Sequence, residues 1–331
     1  MPVLKNTWMK QSGNRLTTSR RRNSVTPFKE YLNSPHVYKP NSNFPRDFVF
    51  YADLWHSEQQ GFGTLANGTG IATPTSLVAG ANTVDVTQAG TFTIWLPSIH
   101  TGTAASGTAV VTGSPVSLVG GNNTITVTGT GTITITCTDQ VVDRSQNAAL
   151  CSVVGSPVWS NQGRTFVAAS SQYIDSNLIT LDLTAGMTII SWAKHSAIGA
   201  GNERLLSKRD ATGATNPFDM FLEGANTRIN FVVNETTQVG AIGSVATGTW
   251  YMATGTHDLS NIAYFHNGVF VNQTALAAAS VTNAFSVKIG VRSNSLAAYM
   301  NGTIGEVQIY DHALTAQEIS QIYNSTKWRY L

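Results

Sequence analysis

The sequence predicts an all-β protein whose main part is a two-sheet antiparallel sandwich. Charged residues make up only 11% of the 331 residues and hydrophobic residues 42%, which is enough for one large core and a smaller unit. Short runs with apolar residues at alternate positions recur between Gly- and Asn-rich turns, as is typical of strands. Seven of these runs follow residue 141 without long helical patterns between them, and this spacing favours two packed sheets.

The predicted strands of the sandwich are short apolar-rich runs bounded by turn residues. They span residues 187–196, 218–224, 228–234, 250–258, 261–271, 285–291 and 305–311. One helix is predicted over 315–324, because Thr315 and Glu318 have the spacing of a capping box. Ile319, Ile322 and Tyr323 then place an apolar stripe on one face of that helix.

A tandem repeat lies between residues 71 and 137, with an offset of 41 residues between its two copies. The segment that starts at Pro74 aligns with the segment that starts at Pro115, and each copy predicts short strands separated by Gly/Asn turns. Two copies are too few for a solenoid, which needs about three units to bury a core. We therefore expect the two copies to pair with each other or to pack on a neighbour.

The N-terminal residues 1–46 form a basic segment ahead of an acidic body. They contain nine Lys or Arg and one acid, a net charge of +8, whereas the remaining residues hold 11 bases and 17 acids, a net charge of −6. Several prolines and the lack of periodicity predict an extended arm. We expect this arm to grip acidic neighbouring subunits; nucleic acid is the less favoured partner. The expected anchoring residues are Trp8, Arg20, Arg21, Arg22, Phe28 and Tyr31.

Cys137 and Cys151 are the only cysteines of the chain. Two buried free thiols are the favoured interpretation, since free cysteine behaves as a small core residue; a single disulfide is the alternative. The first 30 residues lack the apolar segment of a secretory signal. No run approaches the roughly 20 apolar residues that cross a bilayer, so we expect no membrane contact and a protein made in a cytoplasm.

Four segments, 163–175, 187–194, 248–269 and 289–319, resemble the laminin G-like and concanavalin A-like jelly rolls. The last segment is the most specific, because a Gly-x-Ile-x-Glu-Val-x-Ile-Tyr strand is followed there by an Ala-Leu-x-x-x-Glu-Ile helix. The motifs LWHSE at 54–58 and GRTF at 163–166 are similar to those of proteins encoded by tailed phages and environmental viruses. The resemblance implies a jelly roll and a virion protein.

The resemblance also implies the organisation of the chain into four parts. A basic arm over 1–46 precedes the first jelly-roll strand in 47–61, and residues 139–331 form the remainder of the jelly roll. Residues 62–138, which contain the repeat, are then an insert in an early loop. Surface loops tolerate such insertions because the entropy of loop closure grows slowly with length.

Some relatives with this fold are glycoside hydrolases, which need two carboxyl groups about 5 to 9.5 Å apart. No Asp or Glu pair at positions i and i+2 exists in the sequence. Asp219 and Glu223 are the nearest pair on one predicted strand, and they would lie about 13 Å apart. We therefore expect no enzymatic activity, although carboxylates from separate loops could still meet.

The histidines show no metal-binding spacing; they are His36, His56, His100, His195, His257, His266 and His312. Calcium is the cofactor that the resemblance allows, on Asp143 and Asn147 with Asn301 before the last strand. Gly305 stands where the family usually has Asp, and the loss of that carboxylate weakens a calcium site. No cofactor, with a turn role for Asp143, is the favoured interpretation.

Four aromatic residues, Trp159, Tyr173, Tyr299 and Trp328, fall near predicted loops. The first three are the candidates for stacking on a glycan. Core or interface positions are the more common use of such residues. Trp192 and Trp250 lie inside alternating strands and are assigned to the core.

Together these features predict a virion structural protein, oligomeric in its assembly, that decorates a capsid or a tail. Its jelly roll would face outward and could bind cell-surface glycans. The first alternative is a glycan-binding tail-fibre or surface lectin, and the second is a β-glucanase-like enzyme. The third is a coat protein that places Arg20, Arg21 and Arg22 on the genome.

Overall fold

The computed structural model describes 16 segments that begin at Asp47. They are residues 47–55, 63–66, 75–77, 80–87, 89–96, 99–104, 107, 110–111, 116–118, 121–138, 140–181, 183–210, 215–234, 237–241, 243–277 and 279–331. The predicted arm over 1–46 and its anchoring residues lie outside them. Strands are numbered below in chain order.

The first sheet has eight strands, all antiparallel to their neighbours. Its strands are β1 (Phe48–Ala52), β13 (Val158–Ser160), β14 (Gly163–Phe166), β16 (Met187–His195), β21 (Tyr251–His257), β22 (Asn261–His266), β23 (Val269–Ala275) and β25 (Gly302–Tyr310). The order is β13-β14-β25-β16-β21-β22-β23, and β1 also pairs with β25. The first and last strands of the sandwich are therefore neighbours.

The second sheet also has eight antiparallel strands. In spatial order they are β11 (Gln140–Val142), β12 (Leu150–Val154), β15 (Tyr173–Asp175), β24 (Lys288–Ile289), β17 (Asn202–Lys208), β18 (Phe218–Glu223), β19 (Arg228–Val233) and β20 (Thr237–Ala241). One apolar core fills the space between the sheets, with Ile189 and Val307 from the first and Met220 and Phe231 from the second. The predicted two-sheet antiparallel sandwich is confirmed.

The repeat forms two smaller sheets from strands between residues 63 and 138. One has the order β3 (Thr75–Leu77), β2 (Gly63–Ala66), β5 (Gly90–Leu96), β9 (Gly121–Thr128), β7 (Val110–Val111); the other has the order β4 (Gly80–Val86), β10 (Gly131–Thr138), β6 (Ile99–Ala104), β8 (Val116–Leu118). Strands of one copy pair with strands of the other: Thr93 lies opposite Thr124, and Thr134 lies opposite Thr83. These two pairs are related by the 41-residue offset, so each sheet contains strands from both copies.

The predicted helix is confirmed as α1, Ala316–Thr326, with Thr315 as its N-cap and a complete capping box with Glu318. Its apolar stripe packs on the outside of the first sheet and forms a second apolar cluster there. Trp192 and Trp250 are buried, as predicted, but in this outer cluster and not between the sheets. Short 3-10 helices occupy Ala168–Ser170, Gly224–Asn226 and Lys327–Arg329.

Two predicted strands differ from the structure. The run 261–271 is broken into β22 and β23 by a turn at Asn267 and Gly268, whose φ angles are 51° and 77°. Asn-Gly readily adopts this left-handed pair, which suits a two-residue hairpin. The run 285–291 contains only the two-residue strand β24. Within the described segments, no helix has the length and hydrophobicity to span a membrane.

Candidate functional site

The two sheets differ in what their outer faces carry. Ile190 and Trp192 of the first sheet lie under Ile319 and Ile322 of α1. On β18 of the second sheet, Phe218, Met220 and Leu222 enter the core, so alternation turns Asp219, Phe221 and Glu223 outward. In the described part of the chain, no helix packs on this outward face. The helix thus covers the outer face of the first sheet, whereas Phe221 and Glu223 on the outer face of the second sheet are partly exposed.

A pair of tyrosines lies at the β15 and β24 side of this face. The ring centroids of Tyr173 and Tyr299 are 6.5 Å apart, with an angle of 44° between the rings. Both side chains are partly exposed. The ammonium of Lys288 lies 5.6 Å from the Tyr173 centroid and forms an ion pair with Asp175. The structure therefore brings together two of the three aromatic residues that the sequence suggested for glycan contact.

The loop that carries Tyr299 is fixed at its end by a buried polar network. The backbone N–H of Asn301 donates to Oε2 of Glu203 over 3.0 Å. The same carboxylate oxygen lies 2.7 Å from Nδ1 of His195, whose Nε2 lies 2.7 Å from the hydroxyl of Tyr251. His195 and Tyr251 are buried. Because these contacts hold the loop before β25, they fix the place of Tyr299 on the face.

An arginine cluster lies around the carboxylate of Asp219. It is joined to the loop of Tyr299 by a hydrogen bond from the N–H of Arg204 to the carbonyl of Ala298 over 3.0 Å. Nε of Arg204 donates to Oδ2 of Asp219 over 2.9 Å, and Nη1 of Arg209 lies 3.7 Å from the same oxygen. The guanidinium of Arg204 also stacks on Phe221 at 4.1 Å. Burial raises the pKa of the Asp219 carboxyl, while the charges of Arg204, Arg209 and Arg292 oppose that rise.

The cluster does not satisfy all of its own polar atoms. Nη1 of Arg204, Oδ1 of Asp219, Nε of Arg292 and Oδ1 of Asn294 are buried without a hydrogen-bond partner among the described residues. Buried polar atoms in native proteins are nearly always hydrogen-bonded to protein or water. Unpaired donors and acceptors side by side therefore indicate a place for water or for a polar ligand.

A row of polar side chains continues this face across β18, β19 and β20. Glu223 accepts hydrogen bonds from Nε of Arg228 over 2.9 Å and from Nδ2 of Asn230 over 3.2 Å. Gln238 donates to Asn230 over 2.6 Å. The hydrogen bonds that Glu223 accepts lower the pKa of its carboxyl, and the bond from Asn230 contributes most. Glu223 and Asp219 are thus each engaged by arginine, at a strand separation of about 13 Å.

Two of the aromatic residues named from the sequence lie elsewhere. Trp159 is in β13, at the edge of the first sheet. Trp328 is in the 3-10 helix after α1 and is 61% exposed. Neither belongs to the second sheet, which carries the tyrosine pair.

Asp143 and Asn147, the predicted calcium ligands, fasten their loop to β1. Oδ1 of Asp143 accepts the N–H of Tyr51 over 2.9 Å and that of Ser145 over 2.8 Å, and Oδ2 accepts the Ser145 hydroxyl over 2.7 Å. Nδ2 of Asn147 donates to the carbonyl of Val49 over 2.8 Å. The oxygens that calcium would need from Asp143 are already hydrogen-bonded, so these residues do not fit a calcium site.

Asn301 lies far from that loop. It precedes β25 by one residue and is seven residues from Gln308, which pairs with Tyr51; that is about 23 Å along the strand. A Cβ at Gly305 would overlap the ring of Tyr330, so glycine is required there by the C-terminal segment. Among the described residues, no three His, Cys, Asp or Glu side chains come together as a metal site.

Cys151 is a free, buried thiol of β12. Burial raises its pKa well above the usual range, and the charges of Asp143 and Asp175 add to that effect. A thiol of this kind is protonated and unreactive at neutral pH. The side chain of Cys137 lies outside the described part of the chain.

Comparison with known families supports the resemblance to laminin G-like and concanavalin A-like proteins that the motifs indicate. Residues 168–320 match the family described as the concanavalin A-like lectin/glucanases superfamily. No curated protein matches the sequence.

Solved structures to which the chain is similar include the CBM40 of the Ruminococcus gnavus IT-sialidase bound to α2,3-sialyllactose. It is 18% identical over 44% of this chain and 85% of that chain, with a TM-score of 0.39. The botulinum neurotoxin serotype D ligand-binding domain in complex with N-acetylneuraminic acid is 13% identical over 57% of this chain and 48% of that chain, with a TM-score of 0.46. At these identities the likeness concerns the fold alone.

Proposed function

We propose that this protein binds glycans without hydrolysing them, and that the outer face of the second sheet is its binding face. The observation that carries the proposal is the partly exposed pair of Tyr173 and Tyr299. The loop of Tyr299 is joined to Arg204 by a hydrogen bond from the Arg204 N–H to the carbonyl of Ala298 over 3.0 Å, and Arg204 and Asp219 each carry an unpaired polar atom. A sugar offers an apolar ring face for stacking on aromatic rings. Its hydroxyl groups each donate and accept hydrogen bonds, which suits such a mixture of donors and acceptors.

The arrangement of carboxylates favours binding over hydrolysis. Hydrolysis needs an acid and a second carboxylate about 5 to 9.5 Å apart. The two carboxylates of β18 are about 13 Å apart, and each is bonded to an arginine, Asp219 to Arg204 and Glu223 to Arg228. Glu223 is also unsuited to donate a proton, because its hydrogen bonds from Asn230 and Arg228 lower the pKa of its carboxyl and keep it ionised.

The proposal predicts that the tyrosine pair is required for binding. Purified protein is expected to be retained on an array of immobilised oligosaccharides. Replacing both Tyr173 and Tyr299 with alanine should weaken that binding at least about tenfold, which corresponds to about 1.4 kcal/mol. Trp159→Ala is the matched control, since it removes an aromatic ring from the first sheet and should leave binding unchanged. Equal retention of the double variant, with an unchanged melting temperature, would disprove the assignment of the face.

We further propose that the protein belongs to a virion and is attached by its basic N-terminal arm. The support is the charge division between residues 1–46, at +8, and the acidic remainder, at −6, together with the sequence resemblance to phage-encoded proteins. Surface ion pairs are individually weak, so many contacts along the arm would share the attachment.

This second proposal predicts that deletion of residues 2–40 abolishes incorporation into particles and leaves the melting temperature of the body almost unchanged. Changing Arg20, Arg21 and Arg22 to alanine should weaken incorporation, so that a lower salt concentration releases the protein, because fewer charged contacts remain. Purified particles are compared by mass spectrometry for the content of each variant. Normal occupancy by the deletion variant would show that another surface holds the protein.

A further inference from the structure

We infer that the glycan bound on the outer face of the second sheet carries an anionic group, a carboxylate or a sulfate, and that Arg292 binds it. This inference rests on the proposed function. It begins from an imbalance of charge in the arginine cluster, where Arg204 and Arg209 form ion pairs with the carboxylate of Asp219. Arg292 lies on the loop whose Ala298 carbonyl accepts the N–H of Arg204 over 3.0 Å.

Asp219 is shared by two of these arginines. Its Oδ2 lies 2.9 Å from Nε of Arg204 and 3.7 Å from Nη1 of Arg209. Asp210, which follows Arg209 in the chain, accepts hydrogen bonds from the N–H and the hydroxyl of Thr215. Even with both Asp210 and Asp219 counted, three guanidinium groups face two carboxylates. Within the described segments, no carboxylate forms an ion pair with Arg292, and its Nε is buried without a hydrogen-bond acceptor. The cluster therefore has a positive charge left over.

The other cations of this face do have partners. Arg228 is bonded to Glu223, with Nε 2.9 Å from Oε2, and Lys288 is paired with Asp175. The positive charge of Arg292 without a partner also stands in a part of the chain, residues 47–331, whose net charge is −6. An unpaired, partly buried arginine is costly unless it binds something, so a ligand that supplies the missing negative charge is favoured.

The guanidinium of Arg292 determines which acidic groups of a glycan it can bind. A guanidinium presents parallel N–H donors whose spacing matches two oxygens of a carboxylate, sulfate or phosphate, and such charge-assisted pairs are stronger than neutral hydrogen bonds. Arg292 and Tyr299 belong to the same loop, which is closed by a hydrogen bond from the N–H of Arg292 to the carbonyl of Ala297 over 3.0 Å. One ligand could thus stack on the tyrosines and reach the arginine.

The test compares oligosaccharides that differ only in the acidic group. The probes are a trisaccharide ending in glucuronic acid, its carboxyl-reduced form ending in glucose, and the same reduced trisaccharide carrying one sulfate. Binding of each to the full chain is measured by calorimetry at low and at physiological salt. We expect the two acidic probes to bind at least about tenfold more tightly than the neutral probe, with a difference that shrinks as salt rises.

The variants separate the role of Arg292 from a general loss of structure. Arg292→Gln should weaken the binding of the acidic probes at least about tenfold more than that of the neutral probe and so remove the preference, whereas Arg292→Lys should retain part of the preference. Arg228→Gln is the matched control, because Arg228 lies on the same face but already has Glu223 as its partner. Arg228→Gln should keep the preference.

Three results would overturn the inference. The neutral probe could bind as tightly as the acidic ones, Arg292→Gln could weaken all three probes equally, or Arg228→Gln could abolish the preference as fully as Arg292→Gln. If none of these probes and no glycan of the array binds, the proposed function itself fails, and the two failures are therefore distinguishable.

Discussion

Replacing Trp192 with alanine is expected to lower the free energy of unfolding by about 3–5 kcal/mol. Trp192 is fully buried on the outside of the first sheet. Its ring stacks on Tyr330 with centroids 4.5 Å apart and on Tyr323 at 5.6 Å. Its Nε1 donates to the hydroxyl of Thr326 over 2.9 Å. The substitution removes these contacts and leaves a cavity under α1.

Chemical denaturation followed by tryptophan fluorescence and by circular dichroism measures this change. Trp328→Ala is the control, because Trp328 is 61% exposed and its loss should change stability by no more than about 0.5 kcal/mol. A loss below about 1 kcal/mol for Trp192→Ala would contradict the account. It would mean that α1 and the C-terminal residues contribute little to the stability of the sandwich.

Replacing Lys208 with methionine is expected to cost about 3 kcal/mol, because it removes the hydrogen bonds of a buried charged group, each of which contributes about 1.5–3 kcal/mol. The ammonium of Lys208 donates to the carbonyls of Ile179 over 2.7 Å, Phe285 over 2.8 Å and Asn283 over 3.1 Å. Lys208 is fully buried. It therefore joins the segments that precede β16 and β24 to the end of β17.

Urea denaturation of Lys208→Met and of the wild type measures the difference in their free energies of unfolding. Lys327→Met is the matched control, since the Lys327 ammonium bonds only the exposed Asn324 side chain over 2.8 Å among the described hydrogen bonds. Its stability should stay within about 0.5 kcal/mol of the wild type. A Lys208→Met variant as stable as this control would show that the three carbonyls find other partners.

Much of the sandwich was predictable because its strands obey local rules. Strands β16, β18 and β19 and helix α1 lie within one or two residues of their predicted bounds, since alternation and a capping box are local signals. Strand β17 was not predicted. Its pairing with β18 shifts between Arg204 and Leu206, so Leu205 and Leu206 are adjacent and both reach the core. A bulge of this kind interrupts the alternation on which strand prediction depends.

The binding face was predictable only in part. Tyr173 and Tyr299 were suggested as aromatic residues near loops, but their proximity depends on the pairing of β15 with β24. The arginine cluster was missed because Arg204 and Arg292 lie 88 positions apart in the sequence. Only the fold places β17 and the loop before β25 together. The position of Asp143 in the sequence suggests calcium, whereas its hydrogen bonds from Tyr51 and Ser145 show that both carboxylate oxygens are already engaged.

Gly305 illustrates how a departure from a family pattern can have a structural cause. From the sequence alone, Gly305 in place of the family's usual Asp indicates the loss of a metal ligand. In the structure the ring of Tyr330 packs on it, and any Cβ would overlap that ring. The buried Glu306 beside it bonds to Nη1 of Arg329 over 3.0 Å. The residue is thus glycine because the C-terminal segment approaches the strand closely.

Hydrogen–deuterium exchange with and without the tightest glycan of the array shows where the glycan binds. We expect slower exchange in peptides that cover 170–176 and 290–300, which hold the tyrosine pair and the loop of Arg292. Exchange in 261–275, at the edge of the first sheet, should not change. Protection of 261–275 with no change in 170–176 and 290–300 would contradict the claim and place the binding face on the other sheet.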